Sequence, residues 1–198
     1  STLIKSLLVG HNYQGEIEVN GYHPIHQHAE LMQHLSYISD VNVLPEWMTI
    51  KQLLRYTEGV HPSFNRQKAE QTLSRTNIKL SSTIKQLSKG MKVQVHLAII
   101  IATDTQVLIL DEPTRGLDVM STRILREVLI KLKQQGKCIL FSSHVMQEVA
   151  ALCDKVIVVA EGKVAAIGNP DELCQRTNKS SLEEAFVSLI GSDEGIAA

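Results

Sequence analysis

Four apolar residues that run straight into two carboxylates constrain this chain more than any other stretch. Val107, Leu108, Ile109 and Leu110 are followed by Asp111, Glu112 and Pro113. A run of only Val, Leu and Ile reads as a strand buried on both faces, as in a parallel sheet covered by helices. Asp111 and Glu112 then fall at the carboxyl edge of that sheet, where open α/β folds bind ligands. Adjacent carboxylates at the end of a dry strand need solvent, a partner or a metal. Pro113 stops the strand, because it has no N–H to give to the ladder. The expectation is an α/β domain with a mostly parallel sheet flanked by helices.

Composition narrows the function classes. The chain has 198 residues, enough for a sizeable core. It has no apolar run long enough to span a bilayer and no secretory pattern, so a soluble protein is expected. A formal charge of −1 gives no bulk attraction to nucleic acid, and 4% aromatic residues leave little for base stacking, so no nucleic-acid partner is expected. Cys138, Cys153 and Cys174 are scattered without Cys-x-x-Cys spacing, which fits a reducing compartment and no zinc site. His23, His26, His28 and His34 cluster, but no Cys or acid joins them at ligand spacing, so a solvated surface segment is the expectation.

The remaining pattern alternates helices and strands. Leu3, Leu7 and Leu8 share a helical face ahead of Gly10. Alternation over 15–19 with an Asn20-Gly21 turn predicts a half-exposed strand, and 35–40 a second strand. Trp47, Met48, Ile50, Leu53, Leu54 and Tyr56 recur at helical spacing until His61-Pro62, and a polar helix covers 66–75. Trp47 reads either as part of a contact patch or as core. Ser88 and Gly90 open an apolar helix that runs past Ile101, with the helix's positive end exposed to any nearby anion. A helix from Asp118 to Gly136 leads to a buried strand over 138–143 and then His144. Lys155–Gly168 reads as a hairpin turning at Glu161-Gly162, and Asn169 and Ser181 open the last two helices. The tail beyond Gly191 is expected to be loose.

Several of these pieces fall in a recognisable order. Gln86-Leu87-Ser88-Lys89-Gly90-Met91 precedes the acidic strand, Gly116-Leu117-Asp118 comes after it, and Phe141-Ser142-Ser143-His144 comes later. In this order the chain resembles the ATP-binding subunits of ABC transporters, most closely those of sodium or drug exporters. The resemblance implies a P-loop NTPase-like domain over 1–198, with a helical insertion at 41–90 and a C-terminal helical extension at 169–198. It implies that Asp111 holds Mg²⁺, that Glu112 acts on the attacking water and that His144 contacts the γ-phosphate. Ser88, Lys89, Gly90 and Asp118 become nucleotide-binding residues completed across a dimer. Ser1 matches the Mg²⁺-binding hydroxyl, and Thr2 its phosphate-binding neighbour. Asp40 takes the place of the Gln that touches the metal, or else is a turn residue.

The resemblance further implies an ATPase that uses ATP and Mg²⁺ to power export. Its partners would be a membrane permease and a second ATP-binding subunit, at the cytoplasmic face of the membrane. The phosphate loop of such proteins, Gly-x-x-x-x-Gly-Lys ahead of Ser-Thr, would lie just before Ser1. The chain therefore reads as an N-terminally truncated domain, inactive alone, unless Ser1 and Thr2 are simply a helix cap. Two rivals remain. A DNA-repair ABC ATPase needs a coiled coil or basic face that the sequence lacks. A degenerate, non-catalytic regulatory or assembly protein is favoured by the missing phosphate loop and opposed by retained Glu112 and His144.

Overall fold

Strand β2 (Val107–Asp111) is buried at all five positions and lies between two parallel neighbours, β1 (Leu35–Ile38) and β3 (Cys138–Ser142). The register pairs Leu35 with Val107 on one side and Asp111 with Ser142 on the other. These relations come from a computed structural model that describes residues 2–8, 12–39 and 44–191. Ser1, Gly10, Asp40 and the tail beyond Gly191 lie outside the described residues.

The chain divides into two compact units, Ser1–Ser142 and Ser143–Ala198. In the first, α1 (Thr2–Leu7) and α2 (His28–His34) bring Ile4 and Leu31 against Leu35, Val107 and Ile109. Leu3 is 58% exposed, so Ile4, one residue on, anchors α1 in place of the expected Leu3. The expected strand over 15–19 does not form. The Asn20-Gly21 turn is present, with φ of +53° and +84°, but it closes only a single bridge from Val19 to Tyr22. Pro24 comes two residues after Tyr22 and cannot extend the return strand.

A second apolar cluster in the same unit is wholly helical. α3 (Ile50–Val60) starts at a capping box, with Thr49 and Gln52 satisfying each other's backbone N–H. α4 (Arg66–Leu73) is capped by Asn65. Both helices, with a 3₁₀ turn at Ile84–Gln86, pack on the long helix α5 (Lys89–Thr103). Ile50, Leu54, Ala69, Ile84, Val95 and Ala98 have no exposed surface, and truncating such a leucine or isoleucine costs about 2–5 kcal/mol. Trp47 resolves the other way: it is 73% exposed and is not core.

α6 (Val119–Gln134) then carries the chain to β3. The sequence pattern predicts a buried β3, but Cys138 is exposed and Leu140 is 37% exposed. Cys138 and Leu140 are two residues apart and so share one face of the strand, and that face is the less covered one.

In the second unit, α7 (Met146–Leu152) precedes an antiparallel hairpin of β4 (Val156–Ala160) and β5 (Lys163–Gly168). Its turn residues Glu161 and Gly162 have φ of +49° and +73°, as a tight two-residue hairpin turn requires. α8 (Pro170–Thr177) and α9 (Leu182–Ile190) complete the unit, each opened by the expected cap, Asn169 and Ser181.

Candidate functional site

The carboxyl end of β2 is where the charged residues gather. Asp111 is the last residue of the strand and 1% exposed. Its Oδ1 accepts a 2.6 Å hydrogen bond from the hydroxyl of Ser142, its register partner on β3. The same hydroxyl oxygen accepts from the backbone N–H of Glu112 at 2.9 Å. One serine thus holds the buried carboxylate and fixes where the backbone turns out of the strand. Sequence reasoning missed Ser142, although the parallel register that sets it opposite Asp111 was within reach.

Glu112 has φ +47°, in the left-handed region that residues with a Cβ seldom occupy. The turn it begins is held by bonds from Arg115 N–H to the Glu112 carbonyl and from Leu117 N–H to the Thr114 carbonyl, both 3.1 Å. Gly116 continues it at φ +67°. Asp118 ends it by capping α6, accepting from Ser121 N–H and Ser121 Oγ, each at 2.8 Å. The backbone bond from Ser121, with its hydroxyl second, holds the Asp118 carboxyl below the usual carboxylate range.

α5 begins beside this turn. Ser88 is exposed and caps the helix, its hydroxyl accepting from Met91 N–H at 3.2 Å. Gly90 is buried against α6, and a Cβ built there would lie 2.1 Å from Ser121 Oγ and 3.0 Å from Ser121 Cβ. The missing side chain is therefore already used by a helix contact inside the chain. Lys89 is exposed, and its ammonium donates to the backbone carbonyl of Arg115 in the acidic turn.

The structure thus brings Asp111, Glu112, Asp118, Ser88, Lys89 and Gly90 into one first-unit neighbourhood built from β2, the acidic turn and the starts of α5 and α6. Thr2 lies apart in sequence, exposed at the start of α1, its carbonyl accepting from Ser6 Oγ at 3.2 Å. His144 is exposed two residues beyond β3 and belongs to the second unit. The histidines of the early segment make contacts of their own, with Tyr22 and His34 stacked at 5.2 Å. Among the described residues no group of three His, Cys, Asp or Glu side chains forms a metal cage.

Comparison with known proteins gives consistent likenesses. The family described as ABC transporter matches residues 1–115. The chain is 34% identical over 183 residues to the ABC transporter ATP-binding protein NatA of Bacillus subtilis, covering 89% of this chain and 74% of that protein. It is 34% identical over 138 residues to the Nod factor export ATP-binding protein I of Rhizobium etli, covering 67% of this chain and 43% of that one. A solved structure titled as an ATP binding subunit of an ABC transporter superposes with a TM-score of 0.84 at 27% identity, covering 96% of this chain and 82% of that one. The chain thus spans about three quarters of NatA but less than half of the Rhizobium relative.

Proposed function

The chain belongs to the ABC transporter family of ATP-binding proteins, and we propose that it hydrolyses ATP to drive export through a membrane permease. The observation that carries this reading is the buried Asp111 at the edge of β2, with Glu112 one residue beyond it on a hydrogen-bonded turn.

The donor set suits Mg²⁺. That ion binds through one or two carboxylates together with substrate phosphates rather than in an all-protein cage, and a single fixed carboxylate is what Asp111 offers. Asp111 would hold the metal, with Ser1 as a further oxygen ligand and Asp40 as another. When bound, Mg²⁺ neutralises charge on the phosphates. Glu112 polarises the attacking water and takes its proton. Its backbone N–H is tied to Ser142, which sets where the chain that carries the carboxylate leaves β2.

His144 contacts the γ-phosphate, and Thr2 the phosphates beside it. Ser88, Lys89, Gly90 and Asp118 complete the site across a dimer with a second ATP-binding subunit. Residues 41–90 serve as the insertion that meets the permease, where exposed Trp47 and Tyr56 supply apolar surface; 169–198 is the helical extension of the same domain. Export as the direction is supported by the name of the Nod factor relative. Sodium ions or drugs are the proposed cargo. No described helix is long and apolar enough to cross a membrane.

The test is calorimetry with Mg-ATP on the 198-residue chain and on a form extended upstream with a phosphate loop. Binding is expected from the extended form. Its Glu112→Gln variant should bind equally and accumulate as nucleotide-bound dimer without turnover. Absence of binding by both forms, or normal turnover in the variant, overturns the proposal.

A further inference from the structure

The geometry points to Lys89 as a positioning residue that ties the start of α5 to the acidic turn within one subunit. Its place is otherwise unfavourable. Lys89 is the first residue of α5, where the helix presents partial positive charge, and no acidic residue in that first turn offsets it. Lys92, one turn on, meets the same disadvantage and is paired with Glu46 at 2.9 Å. Lys89 instead reaches out of its helix to a backbone carbonyl, that of Arg115.

The turn is shaped to receive it. A Cβ on Gly116 would lie 3.0 Å from Lys89 Nζ and 3.9 Å from Lys89 Cδ and Cε. A side chain at 116 would press only on the ammonium and meet the stem at ordinary contact distance, so the φ of +67° is the stronger reason for glycine there. Besides the bonds within the turn, three of its contacts with the rest of the first unit hold the stretch between Glu112 and Asp118. Ser142 fixes its start, the Ser121 cap fixes its end, and Lys89 fixes its middle. The middle is the only one of these three anchored to α5 through a side chain.

A displacement of the start of α5 is thereby passed to the turn that carries Glu112 by a direct bond. This gives Lys89 a role inside its own subunit, distinct from contact with a nucleotide. The bearing of this tether on hydrolysis rests on the function proposed above; the tether itself is testable without nucleotide.

Backbone amide hydrogen exchange of the nucleotide-free protein, with carbonyl-carbon NMR shifts, provides the experiment. Lys89→Met keeps the apolar stem and removes the donor. Exchange at the amides of residues 114–117 should rise about tenfold, which corresponds to about 1.4 kcal/mol, and the Arg115 carbonyl carbon should move upfield. Lys89→Arg, which restores a donor, should return both. Unchanged protection in α3 and α4 shows that the variant is folded. Identical exchange and an unmoved Arg115 shift in Lys89→Met overturn the inference, as does failure of Lys89→Arg to restore them. Because no nucleotide is present, failure of ATP binding in the calorimetry leaves this result standing.

Discussion

Replacing Gly90 by alanine separates two physical expectations of opposite sign. In an open helix, Gly→Ala stabilises by up to about 1 kcal/mol, because alanine loses less backbone entropy. At Gly90 the added methyl would lie 2.1 Å from Ser121 Oγ and 3.0 Å from Ser121 Cβ. The hydroxyl can rotate away, but the Cβ cannot move without shifting α6. Overpacking of this kind costs about 1–3 kcal/mol. Rotation of the hydroxyl also breaks its 2.8 Å bond to Asp118 Oδ2 and weakens a helix cap worth about 1 kcal/mol. The propensity gain offsets only part of this, so Gly90→Ala should destabilise by about 1–3 kcal/mol. Urea unfolding at constant m-value measures it. Gly59, in α3, has nothing within 4 Å of its built Cβ, so Gly59→Ala should stabilise and serves as the control. In a Ser121→Gly background the Gly90→Ala penalty should disappear. A Gly90→Ala protein as stable as the parent, or an undiminished penalty in that background, refutes the close contact as the reason for glycine.

Two further outcomes are expected on the same physical grounds. Burial pushes His96 down to about 4, so it is neutral when folded but charges near 6.5 when unfolded. The unfolded chain therefore binds the extra proton between these values, and stability present above about pH 6.5 is lost as pH falls towards 4. Between pH 7 and pH 5 the loss should be about 2 kcal/mol by urea unfolding, and His96→Leu should flatten it; an equally steep fall in that variant refutes the assignment. Ser142→Ala removes one partner from buried Asp111 and one from the Glu112 N–H, so thermal unfolding should show a loss of about 1–3 kcal/mol, with Ser142→Thr retaining most of the stability. Equal melting of Ser142→Ala and the parent sinks that role.

The features legible in the sequence were those set by neighbours in the chain. The apolar run from Val107 to Leu110 has no solvated face, so only a central strand accommodates it, and Asp111 had to fall at its end. Ser88, Asp118, Asn169 and Ser181 each cap a helix through a bond to a backbone N–H three residues on, which is a local property. What escaped depends on distant partners. Gly90 meets Ser121, Lys89 meets Arg115 and Ser142 meets Asp111, and each pair spans a separation that periodicity does not encode. The alternation over 15–19 misled for the same reason, since a strand needs a partner and Pro24 prevents one from forming nearby. Asp40 and Ser1 lie outside the described residues.

The backbone angle at Glu112 has a consequence for how such a protein changes over generations. Glycine, and to a lesser degree asparagine, would adopt φ +47° at lower cost than glutamate, by about 1 kcal/mol or more. Selection on thermal tolerance alone would therefore drift away from the carboxylate at this position. A glutamate that stays there is held by something other than this backbone preference. Screening for heat resistance alone acts on this backbone cost and is blind to the role proposed for the carboxylate.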